Sequence, residues 1–151
     1  MPQSLSVVYC HLVFSTKDRT PWLTDADLRG CLHAYMGECS KRLDCPPVRV
    51  GGLADHVHIL ALLGRTITQS DWIKELKRTS HLWLEDQTSP LREFRWQSGY
   101  AIFSVSPSNR DKVESYIIHQ ETNHRKRSYQ DEMRGLLRKH GMEWDERYVW
   151  D

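Results

Sequence analysis

The order in which strand and helix signals follow one another limits the fold of this chain more than any other feature. Runs of β-branched and aromatic residues typical of strands occupy 5–14, 48–50, 56–63 and 99–105. One amphipathic helical segment separates the first two runs, another separates the last two, and two more follow the last run. Strand, helix, strand, strand, helix, strand is the split βαβ or ferredoxin-like order. We therefore predict an α+β fold in which helices cover one face of an antiparallel sheet. The first and third strands are central in that sheet, and further helices follow at the C-terminal end.

The predicted helices share one capping signal. A hydroxyl residue that can accept a hydrogen bond from the first helical turn is followed three residues later by Asp. The pairs are Thr24 with Asp27, Thr68 with Asp71, Ser108 with Asp111, and Ser128 with Asp131. We expect the first helix to end before Pro46 and the last to stop at Gly141. Residues 86–97, which include Trp96, are expected to form a loop.

Composition narrows the class of protein. Of the 151 residues, 39% are hydrophobic and 27% charged, with 8 Gly and 6 Pro, which excludes collagen-like and disordered chains. No linker, repeat or low-complexity tract is visible, so we predict a single domain over 1–151. No apolar run reaches the roughly 18–20 residues that span a bilayer, and MPQSLSVVYC lacks the features of a signal peptide. We expect a cytoplasmic protein.

The first candidate for chemistry is His56-Val57-His58 in the third predicted strand. Residues two apart on a strand project from the same face, so both imidazoles point one way and Val57 points the other. Two imidazoles placed in this way can bind one divalent cation and leave other coordination positions open. The same spacing also fits two histidines that only form hydrogen bonds, or two that lie on the protein surface by chance.

The second candidate lies in the third predicted helix, where Tyr116 and Gln120 are four residues apart. That spacing places them on one helix face, at the edge of the apolar stripe that contains Val113 and Ile117. The amide oxygen of Gln120 is a neutral ligand suited to a hard metal ion. A tyrosine in such a position also occurs as a half-buried packing residue.

Taken together, these segments resemble the single-tyrosine HUH transposases of small bacterial insertion sequences, the IS-200-like group, to which the REP-associated tyrosine transposases are close relatives. HUH denotes His, a bulky apolar residue, His. The resemblance runs almost end to end, and it is carried by CHLVFSTK at 10–17, DHVHIL at 55–60, WQSGY at 96–100, YIIHQ at 116–120, HRK at 124–126 and DERYVW at 145–150. The fold of that family is ferredoxin-like, which agrees with the order of elements above.

The resemblance implies a role for each matching residue. His56 and His58 match the HUH metal ligands, Gln120 the third ligand and Tyr116 the nucleophile, while His119 stands where the family more often has Asn. The implied reaction is metal-assisted, with Mg²⁺ or Mn²⁺, because a tyrosine hydroxyl with a pKa of about 10 is a poor nucleophile at neutral pH. Attack on DNA leaves a 5′-phosphotyrosine and a free 3′-OH for rejoining.

The resemblance also implies partners. The family acts on single-stranded DNA hairpins at the ends of the element, and its subunits form a homodimer in which the tyrosine helix can complete the partner's site. The connector 104–109 permits docking of that helix within one chain or between two. The expected contacts to the DNA backbone are Lys74, Lys77, Arg78, Arg125, Lys126 and Arg127.

The sequence leaves three other functions open. A domesticated enzyme that cuts chromosomal palindromic repeats has the same residues as a mobile-element transposase. A ferredoxin-like module that binds nucleic acid without cutting it has no use for His56, His58 and Gln120 together, and neither central strand carries the aromatic pattern of such modules. A metal-dependent hydrolase unrelated to DNA, with Tyr116 only packing, is the third alternative.

Overall fold

One antiparallel sheet organises the chain. A computed structural model describes residues 2–87, 89–124 and 127–151, and within these ranges the sheet has four strands. They are β1 (Tyr9–Ser15), β2 (Pro47–Leu53), β3 (His56–Leu62) and β4 (Ala101–Val105), in the order β2-β3-β1-β4. The first and third strands are central, and every pairing is antiparallel. The predicted ferredoxin-like fold is confirmed.

The helices follow the predicted order with shifted ends. They are α1 (Ala26–Arg42), α2 (Gln69–Glu85), α3 (Arg110–Ile118), α4 (Gln120–His124) and α5 (Tyr129–Lys139), with 3-10 turns at Lys17–Arg19, Ser89–Glu93 and Pro107–Asn109. Thr68 and Ser128 cap α2 and α5 as predicted, each accepting from the backbone N–H three residues on.

Two predicted helix starts and one helix end are wrong. Asp25 rather than Thr24 caps α1, because its carboxylate accepts from the N–H groups of both Asp27 and Leu28. Ser108 lies in a 3-10 turn, and α3 begins at Arg110. The continuous helix expected through Gln120 is interrupted at His119, the C-cap of α3. Within the predicted loop, Trp96 forms an isolated β-bridge with Thr16.

Each face of the sheet is covered by different helices. On one face, alternating strand residues such as Phe14, Val57 and Ile59 pack against α1 and α2 in the main core. On the other face, Val13 and Phe103 pack against Tyr129, Met133 and Leu137 of α5, and Leu60 packs against Ile117 of α3. Burying one such side chain stabilises the fold by about 1.5–3 kcal/mol. The second face also carries His56 and His58.

The C-terminal tail holds α5 on that second face. Trp144, Val149 and Trp150 pack against the apolar cluster around Phe103. Arg134 Nε donates to Glu146 Oε1 at 2.8 Å, which joins α5 to the tail. None of the helices in the described ranges has the length and apolarity needed to cross a bilayer.

A close approach positions α3. A Cβ added to Gly51 of β2 would lie 2.7 Å from Cγ2 of Ile117 and 3.1 Å from its carbonyl oxygen. Only glycine leaves room for the helix at this distance. The sequence therefore brings the helix that carries Tyr116 directly onto the sheet beside β3.

Candidate active site and metal centre

The two histidines of β3 form the base of the site. His56 and His58 are both fully buried and lie on the sheet face covered by α3 and α5, while Val57 between them belongs to the opposite core. Their ring centroids are 5.2 Å apart and the ring planes nearly perpendicular. The period of two in an extended strand is the reason for this placement.

Each histidine is held through Nδ1 by a neighbouring side chain. Asp55 Oδ1 lies 2.6 Å from Nδ1 of His56, and Nε2 of His11 lies 2.8 Å from Nδ1 of His58. Burial lowers the pKa of His11 most, and the nearby His58 ring lowers it further. His11 is therefore neutral and can accept a hydrogen bond. These contacts direct both Nε2 atoms toward α3 and α5, and partners of this kind orient metal-binding histidines.

Gln120 lies beside the histidines, where the sequence places a metal ligand. Its Oε1 is 2.9 Å from Nε2 of His56, and its Nε2 donates to Glu132 Oε2 at 3.1 Å. His56 thus meets an oxygen acceptor at both ring nitrogens, although a neutral imidazole has only one N–H. A metal ion bound at Nε2 would satisfy this arrangement, because the ring nitrogen and the amide oxygen would then both be its ligands.

A glutamate at the centre of the site was missed from the sequence. Glu132 of α5 is fully buried, and its Oε1 lies 3.1 Å from Nε2 of His58 and 3.6 Å from Nε2 of His56. Its Oε2 accepts from Gln120 and from the hydroxyl of Tyr116. One ligand atom from each of His56, His58 and Glu132 fits within 4.8 Å.

A signal for Glu132 existed in the sequence. The buried stripe of α5 contains Tyr129, Met133 and Leu137, and Glu132 occupies a position on that stripe. A carboxylate on the apolar side of a helix is unusual, because an isolated buried charge is costly.

Tyr116 reaches the same carboxylate. Its half-buried hydroxyl donates a hydrogen bond to Glu132, and its ring edge lies against His58 at a centroid distance of 5.7 Å. Burial, and then the negative charge and hydrogen bond of Glu132, raise the pKa of Tyr116 above its usual value. The raised pKa keeps the hydroxyl of Tyr116 protonated at neutral pH.

The predicted DNA contacts occupy different places. Lys77 of α2, behind the sheet, donates to the carbonyl oxygens of residues 97, 98 and 99 at 2.7–3.2 Å, and burial lowers its pKa to about 8. Arg78 pairs with Glu75 at 2.7 Å, and Lys74 is exposed on the same helix. Arg127 is exposed beside Tyr116. Arg125 and Lys126 lie outside the described residues.

Comparisons with known proteins bear on the family. The family described as "Transposase IS200 like" matches residues 4–120, more than half of the chain, so this chain belongs to that family. A comparison with curated proteins found no match.

Solved structures agree with the fold. A candidate transposase from Deinococcus radiodurans R1 is similar with a TM-score of 0.62 and 21% identity, covering 80% of this chain and 95% of the other. A REP-associated tyrosine transposase bound to a REP hairpin is similar with a TM-score of 0.60 and 13% identity, covering 82% and 72%.

Proposed function

We propose that this chain cleaves and rejoins single-stranded DNA with Tyr116 as nucleophile, assisted by Mg²⁺ or Mn²⁺ held by His56, His58, Gln120 and Glu132. One observation supports this assignment more than any other. The hydroxyl of Tyr116 and Nε2 of His58 contact the same buried carboxylate, that of Glu132. The proposed nucleophile therefore lies within hydrogen-bond distance of a proposed metal ligand. Membership in a transposase family agrees with this chemistry.

The donor set fits a divalent cation. It offers two imidazole nitrogens, one carboxylate and one amide oxygen, and the contacts within it span 2.9–3.6 Å. The carboxylate and amide oxygens are ligands that suit Mg²⁺ and Mn²⁺, and imidazole nitrogens are ligands of divalent transition metals. When bound, such an ion polarises the scissile phosphate and stabilises the charge of the transition state.

The chain's own residues account for the remaining requirements of the reaction. The Tyr116 hydroxyl passes its proton to the Glu132 carboxylate to which it is hydrogen-bonded, and its oxygen forms a bond to phosphorus as the bond to the 3′ oxygen breaks. The departing 3′ oxygen takes up a proton from water to become the 3′-OH, and Glu132 returns its proton to water. Glu132 orients the phenol through its hydrogen bond. The covalent phosphotyrosine keeps the bond energy, and attack by a 3′-OH on it restores the DNA strand.

The proposed DNA partner is a single strand that carries hairpins. The structurally similar REP-associated transposase is bound to a REP hairpin, and the unpaired DNA beside a hairpin exposes a backbone that can enter a cleft. The same chemistry serves a mobile-element transposase and a domesticated enzyme acting on palindromic repeats.

A covalent adduct tests the function. Purified protein is incubated with single-stranded flanks of its own gene, with Mn²⁺ or with chelator, and separated on a denaturing gel. We expect an adduct with Mn²⁺ only, lost in Tyr116→Phe and in His56→Ala,His58→Ala. Tyr100→Phe is the matched control, because Tyr100 is exposed and makes no contact with the histidines in the described part of the chain. An adduct that persists in Tyr116→Phe refutes the assignment.

We propose in addition that the protein acts as a homodimer. In the single chain, α3 packs beside its own β3. A dimer can therefore form in two ways. Either two complete sites come together, or the two chains exchange their tyrosine helices through the connector 104–109. Mixing His56→Ala,His58→Ala with Tyr116→Phe distinguishes the two arrangements. Swapped helices restore cleavage in the mixed dimer, whereas sites within one chain leave it inactive. A monomer at all working concentrations contradicts the proposal.

A further inference from the structure

A cleft of about 520 Å³ opens next to the site described above. One wall is formed by the end of β4 and α3, the other by α5, and the floor contains His11, Tyr116 and Glu132. Its volume lies within the roughly 300–1,000 Å³ of sites that bind molecules of small to moderate size. The Tyr116 hydroxyl is half-buried at this floor, so a phosphate that enters the cleft can reach it.

The rim of the cleft carries three exposed cations. They are Lys112 of α3, Arg127 just before α5, and Lys139 at the end of α5, and all three line the cleft and are exposed. Within the part of the chain that the structure describes, none of the three forms an ion pair. Some other surface cations do pair with acids, at 2.7–3.2 Å; the pairs are Arg49 with Glu114, Arg78 with Glu75, and Arg134 with Glu146. Exposed cations such as Lys41, Arg65 and Arg92 form no ion pair in the described ranges either, but they do not line the cleft.

Neutral groups of the cleft complement these charges. Ser104, Ser106 and Asn109 line the wall beside Lys112 and offer hydroxyl and amide donors. The imidazole of His140 also lines the cleft and stacks on Phe103, with ring centroids 4.2 Å apart. Lysine, arginine, hydroxyl and amide groups are those that bind phosphate oxygens, and a fixed aromatic ring supports a stacked base.

We propose that this cleft, lined by Lys112, Arg127, Lys139 and His140, binds the DNA strand on its way to Tyr116. The inference rests on the proposed function, since it takes the hydroxyl at the floor to be the nucleophile. The ligand is the phosphodiester backbone of a single strand, whose phosphates contact the three cations. The α2 cations Lys77 and Arg78 are in contrast already bonded within the chain.

Binding measured without cleavage tests the cleft. Fluorescein-labelled oligothymidylate is titrated with the protein in chelator, at several salt concentrations, and anisotropy is recorded. Three neutralised phosphates contribute about 2 to the slope of log affinity against log salt for a single strand. We expect the triple variant Lys112→Ala,Arg127→Ala,Lys139→Ala to show a slope whose magnitude is smaller by about 2. Lys41→Ala,Arg65→Ala,Arg92→Ala is the control, because it removes the same charge from other exposed positions.

Crosslinking locates the strand independently of charge. A photoreactive group on the thiol of Asn109→Cys is expected to crosslink to the oligonucleotide. Cys31 of α1, exposed in the unmodified chain, carries the same group as an internal control and is expected to give no adduct. Cleft binding is refuted if the two triple variants lose affinity equally, or if Cys31 crosslinks as strongly as position 109.

The outcomes separate this inference from the function itself. If the unmodified protein forms the Mn²⁺-dependent adduct but the cleft variant binds with unchanged slope, only the strand path is wrong. If the cleft variant loses binding but no adduct forms under any condition, the cleft is a nucleic-acid site and the tyrosine chemistry is wrong. Circular dichroism of each triple variant shows that the fold is retained.

Discussion

Glu132→Gln is the substitution that most directly tests the metal centre. The change keeps the size of the side chain and removes its negative charge. The remaining amide oxygen can still accept from Tyr116 and Gln120, and the new amide N–H₂ can donate to His58 Nε2, which lies 3.1 Å from Oε1. We therefore expect the metal-free variant to fold with a free energy of unfolding within about 1 kcal/mol of the unmodified protein.

Metal affinity is expected to change far more. A unit charge about 4 Å from another contributes about 4 kcal/mol at an effective dielectric constant near 20, and the cost of desolvation offsets much of this. Loss of second-sphere partners alone weakens metal binding by about 10- to 100-fold, so losing a direct ligand should cost at least that, about 1.4–2.8 kcal/mol. Mn²⁺ should also raise the Tm of the variant less than that of the unmodified protein.

Isothermal titration calorimetry with Mn²⁺ measures this change. Glu121→Gln is the matched control, since Glu121 on α4 is 73% exposed and pairs only with Arg29 at 3.3 Å in the described structure. We expect unmodified affinity for Glu121→Gln and no measurable binding for His56→Ala,His58→Ala. Glu132 is not a ligand if Glu132→Gln binds Mn²⁺ as tightly as the unmodified protein while the double histidine variant does not bind it.

Further predictions concern the surroundings of the site. Asp55→Asn should weaken Mn²⁺ binding about 10-fold or more in calorimetry, because Asp55 orients His56 through Nδ1. Burial lowers the pKa of His33 to about 4, so the unfolded chain binds the proton first and stability falls as the pH decreases from about 6.5 toward 4, by roughly 3 kcal/mol at most. His33→Leu should flatten that dependence in urea unfolding. Gly51→Ala should destabilise the fold by about 1–3 kcal/mol and reduce adduct yield, because the new Cβ would lie 2.7 Å from Ile117.

Each of these predictions has an outcome that contradicts it. For Gly51, the comparison is Gly30→Ala on α1, where an added Cβ has no atom within 4 Å; equal Tm changes in the two variants would show that the close approach of α3 is not needed. Unchanged Mn²⁺ affinity in Asp55→Asn would remove its orienting role. A pH dependence that is the same with and without His33 would assign the acid sensitivity to other groups.

The sequence determined the order of elements and the identity of the paired histidines. Strand runs and capping hydroxyls are local signals, and Thr68 and Ser128 cap their helices as predicted. The spacing of His56 and His58 implies a common face because an extended strand repeats every two residues. The spacing of Tyr116 and Gln120 likewise predicted their proximity, although a break at His119 lies between them.

Tertiary structure decided what meets those residues. Glu132 joins the site only because α5 packs across the sheet, held there by the tail through Trp150 and the Arg134–Glu146 pair. Lys77, for which a DNA contact stays a prediction, donates to three backbone carbonyls of a loop that no local pattern places beside it. Local periodicity determines which way a side chain points. Only long-range packing determines which groups lie opposite it, and those groups determine the charge and hydrogen bonding of the site.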